Sequence, residues 1–251
     1  MKHTSIYRQK KKKNTTVIIL IIVAVLFFIA GVVLLLIDPI RSSRRMKITN
    51  DALESIEARI SENSVNGTDE STPITIVVSK HGNEVAGEQY DYYADDDALA
   101  DLQNEVAEME ANLPDDITLT CVGILKIDKI DLSLPVWDSV TRVSLRYGLG
   151  LYEDSARPGT NGNSTIFGHR NQHTSTMFYR LKEVEAGDTV RLVLVSGEEL
   201  KYRVREVKFV SPDHIVENIV SSASSSPRLT LITCATERGE GHRRLVICDP
   251  I

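Results

Sequence analysis

A chain of 251 residues with 42% hydrophobic content is long enough for one sizeable core or two small ones, and too apolar to stay disordered throughout. Its net charge of −6 gives no sign of a nucleic-acid partner, yet that total hides a strong sorting. Residues 1–47 carry a net +9, residues 48–117 a net −16 and residues 118–251 a net +1. Three zones of such different character predict an anchor, an acidic connector and a folded domain. The three cysteines, Cys121, Cys234 and Cys248, are an odd number, so at least one stays outside any disulfide within the chain.

The run Lys10–Lys13 precedes Val17–Ile37, 21 residues without a charge. At about 1.5 Å per residue this spans a bilayer core. No small-residue cleavage site follows in Leu34–Pro39, so the segment reads as an uncleaved transmembrane helix rather than a signal peptide. Six Lys/Arg precede it, and Arg41, Arg44, Arg45 and Lys47 follow it. That bias predicts a cytoplasmic N-terminus and an extracellular remainder. Beyond it, Ile48, Leu53, Ile56 and Ile60 recur at near-helical spacing and suggest a short amphipathic stalk. Residues 62–71 have linker composition, and Ile74 to Val78 suggest an isolated strand. In the acidic stretch 91–112, Leu99, Leu102, Val106 and Met109 are spaced for a helix, which Leu113-Pro114-Asp115-Asp116 stops. The expected divisions are a basic tail at 1–16, a transmembrane helix at 17–37, an acidic stalk or lid at 38–116 and a catalytic domain at 117–251.

The domain opens with strands expected at 117–127 and 132–137, then a helical turn at 140–147. A Gly- and Pro-rich loop is expected over 149–163, a strand over Ser164–His169, and a short helix over Thr176–Leu181. Residues 188–195 and 200–210 flank Ser196-Gly197-Glu198-Glu199, a hairpin signal. Many short strands punctuated by Gly and Pro predict a mostly β domain, either a closed barrel or a sandwich.

The chemistry concentrates late in the chain. Leu229, Leu231 and Thr233 alternate with Thr230, Ile232 and Cys234, the period of a strand. Alternation puts Cys234 on the face opposite Thr233, at the strand's C-terminal end. A polar loop, 237–242, leads to Arg243 and Arg244 before the apolar strand Leu245–Cys248. His169 ends the strand that begins at Ser164. A cysteine, a histidine and an arginine at strand ends are the minimum set for thiol acyl transfer. Cys234 would be the nucleophile and His169 the acid/base. An arginine, which cannot lose its proton, would stabilise an oxyanion or hold the substrate. Adjacent strand residues point to opposite faces, so only one of Arg243 and Arg244 serves the site. Cys121 and Cys248 read as core residues, with a disulfide between them open if the first and last strands adjoin. His173, His214 and His242 fall in loops. No CxxC spacing supports zinc, His173 falls four residues after His169 but in a polar loop, and no EF-hand loop supports calcium, so no cofactor or metal is expected.

The pattern Thr230-Leu231-Ile232-Thr233-Cys234, with an arginine before the next apolar strand and Gly168-His169 upstream, resembles the sortases, membrane-anchored cysteine transpeptidases of Gram-positive bacteria. The resemblance covers about Thr118 to Ile251. It implies an eight-stranded barrel with short helices. It implies cleavage of an LPxTG-like C-terminal sorting signal through a thioester, and transfer of the surface protein to a cell-wall precursor or pilin amine. It also implies Arg244, which directly precedes the leucine of the last strand, as the arginine of the site. Residues 145–152, Pro158-Gly159, Gly162-Asn163 and Gly168-His169-Arg170 are similar to class D. Phe178-Tyr179-Arg180-Leu181 resembles class C, whose Asp-Pro-aromatic lid triplet is missing from residues 46–117. Two readings of the acidic stretch stand: a solvated tether, or a flap at 90–116 laying acids near Arg244 over Cys234. A cysteine hydrolase with water as acceptor is the alternative activity, and an adhesion or scaffold protein with a degenerate site is the alternative class.

Overall fold

A computed structural model of the chain describes residues 15–66, 73–81, 112–171, 176–211, 214, 225–235 and 242–251. The helix expected over Leu99–Met109, residues 90–111 of the flap expected at 90–116, His173 and the loop 236–241 lie outside the described residues. The chain divides into two units, 1–40 and 41–251.

The first unit contains the opening part of helix α1, Thr15–Asn66. Its apolar side chains from Ile18 to Leu36 are exposed all round the helix. Among the described residues this is the one helix long and apolar enough to cross a membrane. Pro39, which has no amide hydrogen to donate, lies within the helix just past the apolar stretch.

The second unit is built on a barrel. Its strands, with flanking pairs, are β1 (Thr75–Ser79), β2 (Asp116–Ile127), β3 (Leu132–Trp137), β4 (Leu149–Leu151), β5 (Gly162–Phe167), β6 (Arg170–Asn171), β7 (Thr176–Met177), β8 (Thr189–Leu194), β9 (Glu199–Val210), β10 (Pro227–Cys234) and β11 (Arg243–Pro250). The order β2-β3-β4-β5-β10-β11-β9-β8 closes where β8 pairs back onto β2. This is the expected closed eight-stranded barrel, with no open edge between its members. The pairs β3–β4 and β5–β10 are parallel, and the other barrel pairs are antiparallel. Leu125, Val136, Ile166, Leu192, Leu231 and Val246 fill the interior.

The first half of β2 runs past the barrel and pairs with β1, Thr75 opposite Thr120 and Ser79 opposite Asp116. The strand expected to be isolated is thus a ninth member of the sheet. The stretch read as a stalk is also packed on the domain. Ser42, Arg45, Thr49, Ala52, Ile56 and Ile60 are buried, a stripe at steps of three and four that defines one helix face. Ala52, Ile56 and Ile60 join Ile74, Val78, Leu119, Ile124, Trp137 and Tyr147 in an outer cluster. The Asn63 amide nitrogen donates to the Val195 carbonyl at 3.0 Å, and Lys126 pairs with Glu57 at 2.7 Å.

Short elements fill the connections. Helix α2 (Arg142–Tyr147) starts at Thr141, whose hydroxyl accepts from the Ser144 amide while the Ser144 hydroxyl accepts from the Thr141 amide. This is a reciprocal N-terminal cap. The stretch expected as loop from 149 contains β4, three residues held between β3 and β5. Thr176–Met177, expected to be helical, pairs instead with Arg170–Asn171. A 3₁₀ helix follows at Phe178–Glu183.

Candidate active site

Strands β5 and β10 run side by side in the same direction, with Phe167 opposite Ile232. Their C-terminal ends therefore emerge at the same end of the barrel. Two hydrogen bonds carry the pairing past β5: the Gly168 amide donates to the Ile232 carbonyl at 3.0 Å, and the Thr233 hydroxyl donates to the Gly168 carbonyl at 2.8 Å. His169 thus follows β5 beside the end of β10, where Cys234 stands. Gly168 is required there, because a Cβ would fall 2.5 Å from the Phe178 ring and 2.6 Å from the Leu149 side chain. The Phe178 amide fixes the backbone of the histidine itself, donating to the His169 carbonyl at 2.8 Å.

Strand β11 runs antiparallel to β10, with Arg243 opposite Cys234 and Arg244 opposite Thr233. Directly opposed residues share a face. Thr233 and Arg244 lie on the face of Leu231 and Val246, which is the barrel interior. Cys234 and Arg243 lie on the outer face, with Ile232 and Leu245. There Leu145, Phe167, Val210, Ile232, Leu245 and Ile247 form a second outer cluster, and the cysteine and arginine sit at its rim. The Arg243 side chain is buried, and its Nη1 donates to the His242 carbonyl at 3.3 Å. The Arg244 guanidinium lies 4.6 Å from the centre of the Phe209 ring, its cross-strand neighbour on β9, in a cation–π geometry. Of the two arginines, the register brings Arg243 to the cysteine and sends Arg244 to the opposite face.

The three cysteines differ sharply. Cys121 and Cys248 are buried, one in the outer cluster under α1 and the other in the barrel interior. Burial pushes both thiols up to about 12, because a thiolate there would lose its hydration. All three are reduced, and only Cys234 is partly exposed.

His169 is half-buried, with part of its surface open to solvent. Burial first, then the positive charges of Arg45 and Arg146, push its pKa down from 6.5 to about 4. At neutral pH the imidazole is uncharged and available to accept a proton. Neither arginine is exposed. Arg146, on α2, donates from Nη1 to the Lys80 carbonyl at 2.8 Å. Arg45 comes from α1, one turn before Thr49, whose hydroxyl donates to the Tyr147 carbonyl at 3.2 Å. Sequence reasoning passed over both. The usable signal was the 42-45-49-52-56 spacing, which puts an arginine inside a packed stripe. Among the described residues no group of His, Cys, Asp or Glu is gathered to hold a metal ion.

A family model described as the Sortase domain matches residues 125–250, half of the chain. Sortase D of Bacillus subtilis (strain 168) is 37% identical over 112 residues, covering 45% of this chain and 53% of that protein. Sortase A of Streptococcus agalactiae serotype III (strain NEM316) is 25% identical over 135 residues, 51% of this chain and 53% of that protein. The chain thus spans about half the length of the curated relatives it matches. A crystal structure of sortase C1 from Streptococcus agalactiae aligns with a TM-score of 0.47 at 26% identity, covering 51% of this chain and 66% of that one. The matched residues run from within β2 to the end of β11 and include the strand ends that carry the cysteine, the histidine and both arginines, so the chain belongs to the sortase family.

Proposed function

We propose that this chain is a membrane-tethered cysteine transpeptidase acting on an LPxTG-like sorting signal. The observation that supports it best is the arrangement at one end of the barrel: Cys234 ends β10, His169 follows the parallel neighbour β5, and Arg243 faces Cys234 across β11. In this reading Cys234 Sγ attacks the carbonyl before the scissile bond, and its proton passes to neutral His169. Arg243, rather than Arg244, steadies the negative oxygen of the tetrahedral intermediate. The imidazolium then returns the proton to the leaving amine as the C–N bond breaks, leaving a thioester on Cys234. An incoming amine from a cell-wall precursor or a pilin lysine gives its proton to His169 and takes the acyl group as the C–S bond breaks, and the imidazolium returns that proton to the departing Cys234 thiolate. No step needs a cofactor. The exposed apolar helix around Ile18–Leu36 would hold the enzyme in the cell membrane with its N-terminus in the cytoplasm and the barrel outside. The surface protein bearing the signal would be the donor.

The test uses the detergent-solubilised full chain with an LPxTG-type peptide, read by mass spectrometry with and without an amine acceptor. The expected result is an acyl adduct on Cys234 that amine resolves faster than water, and no adduct on Cys234→Ala. Equal resolution by water would make the enzyme a hydrolase. An adduct that persists in Cys234→Ala would overturn the site assignment.

A further inference from the structure

Among the described residues, Asp131 and Met177 are the two that adopt a positive φ without being glycine. Asp131, at φ 51° and ψ 44°, closes a short 3₁₀ turn in the left-handed helical region, which aspartate tolerates. Met177 is different. Its φ of 55° and ψ of −132° belong to the first central position of a type II′ turn, where glycine is the usual occupant because a Cβ is crowded there. The Met177 side chain makes no capping bond to the 3₁₀ helix that begins at Phe178, so the conformation is imposed by its surroundings.

Both flanks impose it. On the N-terminal side β7 is held in register by β6, with Met177 opposite Arg170 and Thr176 opposite Asn171. On the C-terminal side the Phe178 amide donates to the His169 carbonyl at 2.8 Å. The Phe178 ring is buried and lies so near Gly168 that a Cβ there would fall 2.5 Å from it. The turn from strand into helix falls between these two anchors, at Met177. Rotation about its N–Cα bond toward an ordinary negative φ would swing the Phe178 amide off the histidine carbonyl while β7 stayed in place. The Met177 side chain is buried in the barrel's core cluster with Leu149, Phe178 and Leu181, which keeps the residue from turning outward.

We infer that Met177 is a positioning residue for the chemistry at Cys234, acting through His169: its strained backbone holds the Phe178 amide on the His169 carbonyl. The peptide group on the other side of the histidine is held from β10, where the Thr233 hydroxyl donates to the Gly168 carbonyl at 2.8 Å. One clamp comes from the strand that carries the cysteine, and the second from the turn at Met177. Together they fix the backbone from which the half-buried imidazole projects at the end of the barrel. An error of about 1 Å in the placing of such a group costs on the order of 10²-fold in rate. Strain of this kind persists only where the surroundings over-determine it, and it gathers at active sites.

The inference rests on the proposed acid/base role of His169, and its test separates backbone from side chain. In the detergent-solubilised full chain, Met177→Gly leaves the positive φ accessible and removes the buried side chain. Met177→Ile keeps apolar volume and, being β-branched, rejects a positive φ. Met177→Gly should lower the melting temperature yet keep slow hydrogen exchange at the Phe178 amide and a near wild-type kcat on an LPxTG-type peptide. Met177→Ile should lose that protection and about 10²-fold in kcat, with KM little changed. Val184→Ala, a cavity control in the same core, should lower the melting temperature and leave both readings alone. The pH profile of Cys234 alkylation by iodoacetamide, which needs no sorting signal, should shift in Met177→Ile and stay put in Met177→Gly. Met177→Asn stands in for Met177→Gly, and Met177→Val for Met177→Ile, if either does not fold. A folded Met177→Ile that keeps Phe178 protection and turnover overturns the proposal. So does turnover that falls in Met177→Gly and Val184→Ala in step with melting temperature. A wild type that fails to acylate with peptide while the exchange and alkylation patterns hold would overturn the transpeptidase reading and leave the inference standing.

Discussion

Two patches on the outside of one barrel are buried for different ends. Under α1, residues of the helix, β1 and β2 enclose a cluster that includes Ile56, Trp137 and Tyr147, apolar and closed. Around β5, β10 and β11, a smaller cluster built from Leu145, Phe167, Ile232 and Leu245 stops at Cys234 and Arg243, where side chains of reactive or charged type take over. The first patch extends the core outward. The second is a floor that ends in chemistry. If this contrast is right, substitutions in the first should move stability and leave turnover, and substitutions at the rim of the second should do the reverse.

The sharpest way to break the contrast is at the paired arginines. Arg243→Gln should lower kcat/KM for an LPxTG-type peptide by about 10²–10³-fold without changing the melting temperature, and Arg244→Gln should lower it far less. The reverse order in steady-state kinetics would return the role to Arg244. Ile56→Ala, at a position with 0% exposure, should cost about 2–5 kcal/mol in denaturant unfolding with kcat near wild type. A collapse of kcat at unchanged stability would erase the distinction between the patches.

Acid pH sharpens the comparison further, because His169 links the second patch to stability. Its folded pKa of about 4 lies below the unfolded 6.5, so between these values the unfolded chain takes up a proton that the folded chain refuses. Stability should therefore fall as pH drops through that window, by on the order of 3 kcal/mol at its acid end. It should stop falling on this account below about 4. The loss should be missing in His169→Gln when both are melted across the window. The smallest effect belongs to the cap of α2: Thr141→Ala should cost about 1 kcal/mol, visible as a modest drop in melting temperature.

The site strand was legible because Leu229–Cys234 alternates cleanly and ends in a reactive residue, and Gly168-His169 stood out once a barrel was expected. The face of the arginine was not. Alternation says that Arg243 and Arg244 point apart, but which one meets Cys234 depends on the register of β10 against β11. That register is a long-range fact which no local period carries. Strand β4 was missed because three residues, one of them Gly150, display no period. The packed role of residues 42–60 was hidden by chemistry: Ser42, Arg45 and Thr49 are polar, so a search for apolar spacing found Ile48, Leu53, Ile56 and Ile60 and read a short amphipathic stalk. Thr49 is buried with its hydroxyl donating to the Tyr147 carbonyl, a pairing that hydropathy does not report. For β1 the pattern was visible, but its partner, the overhanging half of β2, was not.

The parallel pairing of β5 with β10 has a consequence in time. These neighbours are joined by a crossover from Gly168 to Ser226, and β10 is completed on its other side by β11, residues 243–250. A contact that spans so much chain forms late, after local hairpins such as β8–β9. During synthesis Cys234 therefore emerges before the arginine that will face it, and its surroundings are assembled only when almost the whole chain is available. Under the proposed function, Cys234 would have no working neighbours until the domain around it is finished, so an incompletely made chain would carry an ordinary thiol.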